Sequence, residues 1–388
     1  MPSPPLPVTR NPSRPSGTSY IPTLDGWRAV AIAAVLFCHG LDQAKYPFAM
    51  PLGLAGVLLF FSISGFLITC RLIEERALTG TVSFRKFYVR RAFRILPPAV
   101  FYLAVIAALG LVGVIPFSGI DLAKALLFVR NYTFLDLGNP ASWYSVHFWS
   151  LSVEEHFYLV WPAVLVLVWV RRGRWTAFTV AAVLAVATVL WRTADEKFHF
   201  VIRFFDAPYL IQNMGRTDYV ADVLLWGCAL ALWLGPRSPG MSWRRYLLRG
   251  YTTLFAMVLI AFIAYDFFGK GLSHGRDLVY VLMALLIGAT VTDPESLLSR
   301  VLELAPLRWI GRLSYSLYLW QELFFHVDGA PLWFQRFPVN VGLIFACAWL
   351  SYTFVERPLV RLGHRVARPV QLGHRDDLKA AGTAVARA

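Results

Sequence analysis

The sequence predicts an all-α integral membrane protein of about ten transmembrane helices with both termini cytoplasmic. Three observations predict it: an apolar composition, a succession of apolar runs near membrane-spanning length, and a one-sided placement of Lys and Arg in the loops. The 388 residues are 57% apolar, with a mean hydropathy of +0.55, against roughly 45–50% apolar residues in soluble globular chains. Fourteen Trp, sixteen Tyr and twenty-nine Phe suit aromatic belts at two bilayer interfaces.

A spanning helix needs about 20 largely apolar residues. Ten segments approach that length: 27–43, 53–72, 95–115, 147–170, 175–192, 218–234, 251–268, 277–292, 313–328 and 339–356. The stretch 121–135 is apolar but too short to span, and is expected to be re-entrant or interfacial. With a cytoplasmic N-terminus, the inner loops 71–94, 171–174, 235–250 and 293–312 hold 17 Lys and Arg, and the outer loops hold nine. That asymmetry orients the helices. It also accounts for the net charge of +14 without nucleic acid, because no nucleic-acid-binding motif accompanies the charge. Residues 1–20 are proline-rich without an apolar core, so they read as a disordered tail rather than a signal peptide. Residues 361–388 read as a cytoplasmic C-terminal tail, and 21–360 as one membrane domain. Cys38, Cys70, Cys228 and Cys347 lie in or beside apolar segments. None has metal-ligand spacing, and all four read as packing residues.

An ionisable residue inside a span costs about 2.5–3.5 kcal/mol on insertion scales and so needs a reason. The first span carries Arg28 at its start and His39 eleven residues later. Eleven residues are close to three helical turns, which places both on one face roughly 16 Å apart. His39 reads either as a functional imidazole or as a histidine paired to a neighbouring helix. Asp25 precedes the span and reads as its N-cap, with pairing to Arg28 three residues on as a further role. After span 2 comes SFRKFYVRRAFRILPP, in which helical spacing gathers Arg91 and Arg94 on one side with Arg90 close by. Guanidinium groups so placed suit phosphate, and topogenic charge explains them equally well. Span 4 opens HFWSLSVEEHFYLVWP, placing Trp149, Ser150 and the adjacent carboxylates Glu154 and Glu155 at one end of an apolar helix. Span 9 carries Tyr318, Gln321 and Glu322, and Glu356 with Arg357 at the end of span 10 reads as an interfacial ion pair. His147, Glu154 and His156 lack the His-Glu-x-x-His spacing, and no metal site is expected. The chain lacks a Gly-x-Ser-x-Gly elbow, a phosphate-binding Gly-x-x-x-x-Gly-Lys loop and a Gly-x-Gly-x-x-Gly turn. Serine hydrolases, ATP-driven pumps and dinucleotide oxidoreductases lose support accordingly.

Taken together, LDGWRAVAI leading to His39, FFSISGFLI at 60–68, FYVRRAFRILPP at 87–98, WSLSVEEHFYLVWP at 149–162 and GRLSYSLYLW at 311–320 give the chain a resemblance to the acyltransferase-3 family of membrane O-acyltransferases. The resemblance covers about residues 20–360. It implies transfer of an acyl group from acyl-CoA to a hydroxyl, with His39 essential and paired in sequence with Arg28. It assigns the family's paired arginines to Arg91 and Arg94, and its tryptophan-serine-leucine motif with acid to Trp149, Ser150, Leu151 and Glu154. Where many members follow the Tyr-Leu-Trp motif with histidine, this chain has Gln321, which argues against a proton relay there. On this reading Arg28, Arg91 and Arg94 bind the donor, and a neutral His39 acts as general base. Glu154 orients or steadies its imidazole as the third member of a triad does, with Asp25, Trp149, Ser150 and Tyr318 in support. Acyl-CoA is a co-substrate, no permanently bound cofactor is expected, and the protein belongs in the cell membrane.

The acceptor expectation rests on analogy. Members acting on envelope polysaccharide often carry an extra extracytoplasmic esterase-like domain, which the compact length here leaves no room for. The Ala/Arg/Val-rich composition is similar to that of actinomycete members that acylate macrolide antibiotics, so a macrolide hydroxyl is the expected acceptor, in antibiotic biosynthesis. A cell-surface or lipid-linked sugar is the alternative. A membrane transporter is the competing class, and would need inverted halves or broken helices that the sequence does not show.

Overall fold

The computed structural model describes residues 20–41, 45–46, 48–132, 139–198, 200, 215–235, 247–248, 250–267, 275–325 and 331–367, with side chains left aside at 260–267 and 275–276. Among the described residues every regular element is helical. Helix α1 is Pro22–Gly40, α2 Ala49–Thr79, α3 Phe84–Leu111, α4 Gly119–Leu126, α5 Pro140–Val146, α6 Phe148–Arg172 and α7 Arg174–Phe198. Helix α8 is Thr217–Leu234, α9 Thr252–Phe267, α10 Gly275–Thr292, α11 Leu297–Leu302, α12 Ala305–Phe324 and α13 Val339–Ser351. A π-helical turn, Tyr352–Glu356, joins α13 to α14, Arg357–Val366.

Among the described residues six helical stretches are long and apolar enough to cross a membrane: Ala49–Thr79, Phe84–Leu111, Pro140–Arg172, Arg174–Phe198, Thr217–Leu234 and Val339–Val366. The protein is therefore a multi-pass membrane protein. The described parts of the other four expected segments also fall on helices, α1, α9, α10 and α12, but α9 has only 16 described residues, and α1 and α12 carry Asp25, Arg28, His39, Gln321 and Glu322 among their residues. The residues expected as a short interfacial stretch at 121–135 form α4 and a 3-10 turn at Arg130–Tyr132; neither is long enough to span, and 133–138 lie outside the described residues. Helix α14 continues past residue 360, where the membrane domain was expected to end. The expected tails at 1–19 and 368–388 lie outside the described residues. No disulfide joins the four cysteines, and Cys38 and Cys228 are buried.

Local sequence explains the helix starts that matter for the site. Pro22 occupies the first turn of α1, where its missing N–H costs nothing. Ser83 caps α3 by accepting from the Lys86 amide, which fixes the phase of the arginines beyond it. The interior helices are brought unusually close by glycine. A Cβ on Gly65 of α2 would stand 2.0 Å from the Leu224 carbonyl oxygen of α8, and one on Gly227 of α8 would stand 2.3 Å from that of Ser62. The crossing of α1 and α12 is as tight: a Cβ on Gly311 would stand 1.8 Å from the Asp25 carbonyl oxygen. Small residues at helix contacts are the usual means of packing in a bilayer, where burial from water provides no drive between helices. Farther along the same pair of helices, His39 of α1 meets Gln321 and Glu322 of α12.

Gly65→Val should therefore separate α2 from α8. Since backbone oxygens rather than flexible side chains are in the way, the cost should exceed the usual 1–3 kcal/mol of an overpacked core. The expected result is loss of the monodisperse detergent-solubilised peak in size-exclusion chromatography, whereas Gly342→Val, where nothing lies near the added Cβ, should elute as wild type.

Candidate active site

A partly open cleft, with about 730 Å³ of unfilled space counting the part continuous with the exterior, lies between α1, α2, α3, α6 and α12. Its walls carry Arg28 from α1, Ser64 from α2, Arg91 and Arg94 from α3, Ser150, Glu154 and Tyr158 from α6, and Tyr318 from α12. Helical phase sorts the arginines of α3. Arg91 and Arg94, three apart, face the cleft, while Arg90 turns away to Glu75 at 3.6 Å. The Arg91 guanidinium lies over the Tyr158 ring at 4.0 Å, a cation–π contact that holds the fork in place.

Asp25 was expected to cap α1, but the capping position falls on Ile21 and Asp25 lies in the first turn. It pairs instead with Arg28, at 3.3 Å, and accepts from the Tyr20 hydroxyl at 2.6 Å. Trp149 is half-buried beside the cleft, edge-on to Phe61 at 6.1 Å. The hydroxyls of Ser150 and Tyr318 lie 2.6 Å apart. They stand 3.2 and 3.1 Å from the His147 carbonyl oxygen, so with one proton each, one donates to that carbonyl and the other to its neighbour.

His39 lies one turn of α12 beyond the end of this cleft. Tyr318 lines the cleft, and Gln321 and Glu322, three and four residues on, meet the imidazole. Nδ1 is 2.9 Å from Gln321 Oε1, and Nε2 is 3.8 Å from Glu322 Oε1. Trp143 stands edge-on to the ring at 5.8 Å and donates its indole N–H to the Glu322 carbonyl at 3.0 Å. An amide oxygen only accepts, so Nδ1 carries the proton and Nε2 presents its lone pair on the Glu322 side.

The structure thus corrects the expected partner of His39. Glu154 accepts a 2.6 Å hydrogen bond from Ser64 and belongs to the arginine cleft; Glu322, buried on α12, is the carboxylate facing the imidazole. The cause is the close crossing of α1 and α12, which reserves His39's neighbourhood for α12 and leaves α6 on the far side of Tyr318. Gln321, which the sequence discounted as a relay, instead sets the tautomer. Glu356, expected in an ion pair with Arg357 at the interface, is buried within the π-helical turn and accepts from Ser316 at 3.0 Å; Arg357 is exposed. The extra residue of a π turn rotates the helix beyond it. Sequence reasoning missed Ser64, His147 and the roles of Gln321 and Glu322. The spacing 318, 321 and 322 was the available signal, since those positions share one helix face.

Membrane-crossing helices packed around a polar interior define a multi-pass membrane protein with its site inside the bundle. Comparison then supplies the family: the model described as an acyltransferase domain, Acyl_transf_3, matches residues 21–356, and the chain belongs to that family. It is 30% identical over 374 residues to the peptidoglycan O-acetyltransferase OatA of Listeria monocytogenes, an alignment covering 89% of this chain and 56% of that protein. It is also 30% identical over 380 residues to the putative peptidoglycan O-acetyltransferase YrhL of Bacillus subtilis, with the same coverage. A putative O-acetyltransferase of Staphylococcus aureus is 28% identical over 367 residues, covering 89% of this chain and 58% of that one. The chain spans a little over half the length of these relatives. No solved structure matches it.

Replacing Gln321 by Leu should release the Nδ1 proton and shift the imidazole to the tautomer protonated at Nε2, which faces Glu322. A site that needs Nε2 unprotonated should then lose about 10²-fold in turnover, a fraction of the roughly 10⁴-fold loss of a protease whose histidine is held in the wrong tautomer. Turnover measured in detergent with the Leu variant checks this; wild-type turnover would remove Gln321 from the site.

Proposed function

We propose that this chain is a membrane O-acyltransferase that moves an acetyl or similarly short acyl group from acyl-CoA to a sugar hydroxyl of the cell envelope. The observation that carries the reading is the line from a three-arginine cleft, along one turn of α12, to an imidazole held in a single tautomer. Phosphates of the donor fit Arg91 and Arg94, because paired guanidinium forks bind phosphate oxygens bidentately. Arg28 extends that cationic wall toward His39. The thioester then lies where His39 Nε2 takes the proton of the acceptor hydroxyl as general base. The hydroxyl oxygen bonds to the carbonyl carbon, the C–S bond breaks, and the proton passes from the imidazolium to the departing thiolate. Glu322 steadies the imidazolium at 3.8 Å while the proton is held there.

The activities of the relatives favour the sugar alternative over the macrolide acceptor that composition suggested, and no feature of the cleft favours a macrolide. The topology that belongs with this reading is ten spans with both termini cytoplasmic. It sets the arginine cleft toward cytosolic acyl-CoA and the His39 end toward the outer surface.

Purified protein given acetyl-CoA and a panel of acceptors, muropeptide and macrolide among them, should consume thioester and yield an acetylated sugar by mass spectrometry. A transporter would consume none. His39→Ala should abolish transfer in a folded protein, because a general base contributes about 10²–10⁴-fold, and comparable turnover would end the assignment. Arg91→Ala and Arg94→Ala should each raise the donor KM about tenfold or more, as charge-assisted hydrogen bonds of about 1.5–3 kcal/mol are lost, while acceptor KM holds and lysine rescues only in part. Topology reporters fused after Arg94 and Arg249 should read cytoplasmic and one near Lys197 external; an external reading after Arg94 would strand the arginines away from the donor.

A further inference from the structure

Acyl transfer to a hydroxyl develops negative charge on the thioester carbonyl oxygen, and enzymes meet that charge with prearranged hydrogen-bond donors. The helix ends around His39 do not supply them. Residue 39 lies in the last turn of α1, which ends at Gly40, and Gln321 and Glu322 lie in the last turn of α12, which ends at Phe324. At a helix C-terminus every N–H is already bonded to a preceding carbonyl, and the free groups are carbonyl oxygens with the negative end of the dipole. Both helix ends therefore disfavour an oxyanion, and its donors come from elsewhere.

His147 has the required properties. It is 2% exposed, and neither ring nitrogen has a hydrogen-bond partner. Its ring packs against those of Tyr102 at 5.3 Å, Tyr318 at 5.5 Å and Phe148 at 4.9 Å. Whatever its tautomer, an imidazole carries at least one N–H, and here that donor is unspent. Its backbone is fixed at the junction of α5 and α6 by the Ser150 and Tyr318 hydroxyls on its carbonyl. Those two side chains line the end of the arginine cleft, and Tyr318, whose ring the His147 ring meets at 5.5 Å, lies one helical turn before Gln321, the residue that meets His39. The amide nitrogen of Gln321, the residue whose oxygen meets His39, is buried and unpaired as well. Buried polar groups in folded proteins almost always have partners. Two unspent donors, one on the residue that meets His39 and one packed against Tyr318 a helical turn before it, mark a place where a ligand oxygen completes the hydrogen bonding.

We propose that His147 is a catalytic residue of this site, donating a ring N–H to the carbonyl oxygen of the acyl donor as it becomes an oxyanion, with the Gln321 amide N–H as second donor. The inference rests on the acyl-transfer reading. As the hydroxyl oxygen adds to the carbonyl carbon, the carbonyl π pair moves onto oxygen and is held by these N–H groups. Collapse re-forms the C=O bond and expels the thiolate, which takes the hydroxyl's proton from His39. His147 neither gains nor loses a proton over the cycle.

The experiment compares wild type with His147→Phe, which keeps the ring and loses the donor, and His147→Gln, which keeps an N–H. Acetyl-CoA is the donor and the best acceptor of the panel the co-substrate. The Phe variant should lose about 10²–10³-fold in kcat, the range for one oxyanion donor, with both KM values within threefold of wild type. The Gln variant should recover at least tenfold of that loss. If Phe fails to give a monodisperse peak, His147→Met, of similar volume and without a donor, takes its place. A folded donor-less variant with wild-type kcat, a Gln variant no better than Phe, or a change confined to KM overturns the proposal. Wild-type protein without transfer activity overturns the acyl-transfer reading itself; an active wild type beside an active donor-less variant overturns only the role of His147.

Discussion

Everything polar in this bundle answers to one constraint: inside a bilayer a backbone amide is spent on its own helix, so any charge or hydrogen bond the interior needs must come from side chains meeting across helices. The contact between His39 of α1 and Gln321 of α12, at 2.9 Å, is that constraint in its most consequential form. It spans 282 positions of sequence and ties the first helix of the bundle to one near its end. The same logic sets Trp27 of α1 on Thr290 of α10 at 2.9 Å, Ser64 of α2 on Glu154 of α6 at 2.6 Å, and Trp161 of α6 on Thr69 of α2 at 2.9 Å. Each bond joins two helices and satisfies a group that lipid could not.

Such pairs form only if the helices come close enough, and here glycine decides. With Gly311 of α12 against the Asp25 backbone, and Gly26 likewise against Leu302 of α11, α1 and α12 lie near enough for short polar side chains to meet. Gly65 and Gly227 do the same for α2 and α8. A buried ion pair contributes little net stability because desolvation offsets the attraction. The network of Arg192 with Asp222 and Asp277, which links α7, α8 and α10, is thus better understood as fixing helix register than as the source of cohesion. Dispersion between close-packed faces supplies that.

Much of this was legible in the sequence. Of the ten apolar runs, six fall on the helical stretches that, among the described residues, are long and apolar enough to cross a membrane, and the i, i+3 spacing of Arg91 and Arg94 gave their shared face before the cleft was known. The eleven-residue interval from Arg28 to His39 correctly placed both on α1, although only Arg28 lines the cleft. Pairing between helices was beyond the reach of sequence. Periodicity tells which residues share a face and is silent on which helix that face meets, so Glu154, in a conspicuous motif, was matched to His39 in place of Glu322. The N-cap reading of Asp25 failed for a local reason: Pro22 starts the helix three residues earlier. Glu356 was misread because a π turn shifts the phase that an α-helical count assumes. His147 carried no signal at all, since its meaning lies in bonds it does not make.

The separation between arginines and imidazole also constrains what the site can accept. Arg28 and His39 lie eleven residues apart on one helix, roughly 16 Å along its axis, with Ser150 and Tyr318 standing between the arginine cleft and the His39 end. On the acyl-transfer reading proposed above, a compact donor such as acetyl phosphate is shorter than the Arg28–His39 rise and does not bridge its two ends. A donor with its phosphates at one end of a long arm and its acyl carbon at the other can bridge them. The binding energy of the distant phosphates then holds the carbonyl in register with the base, which is how remote contacts raise the rate of a chemical step. Length therefore selects the donor in this reading, and the helical rise of α1 is the ruler.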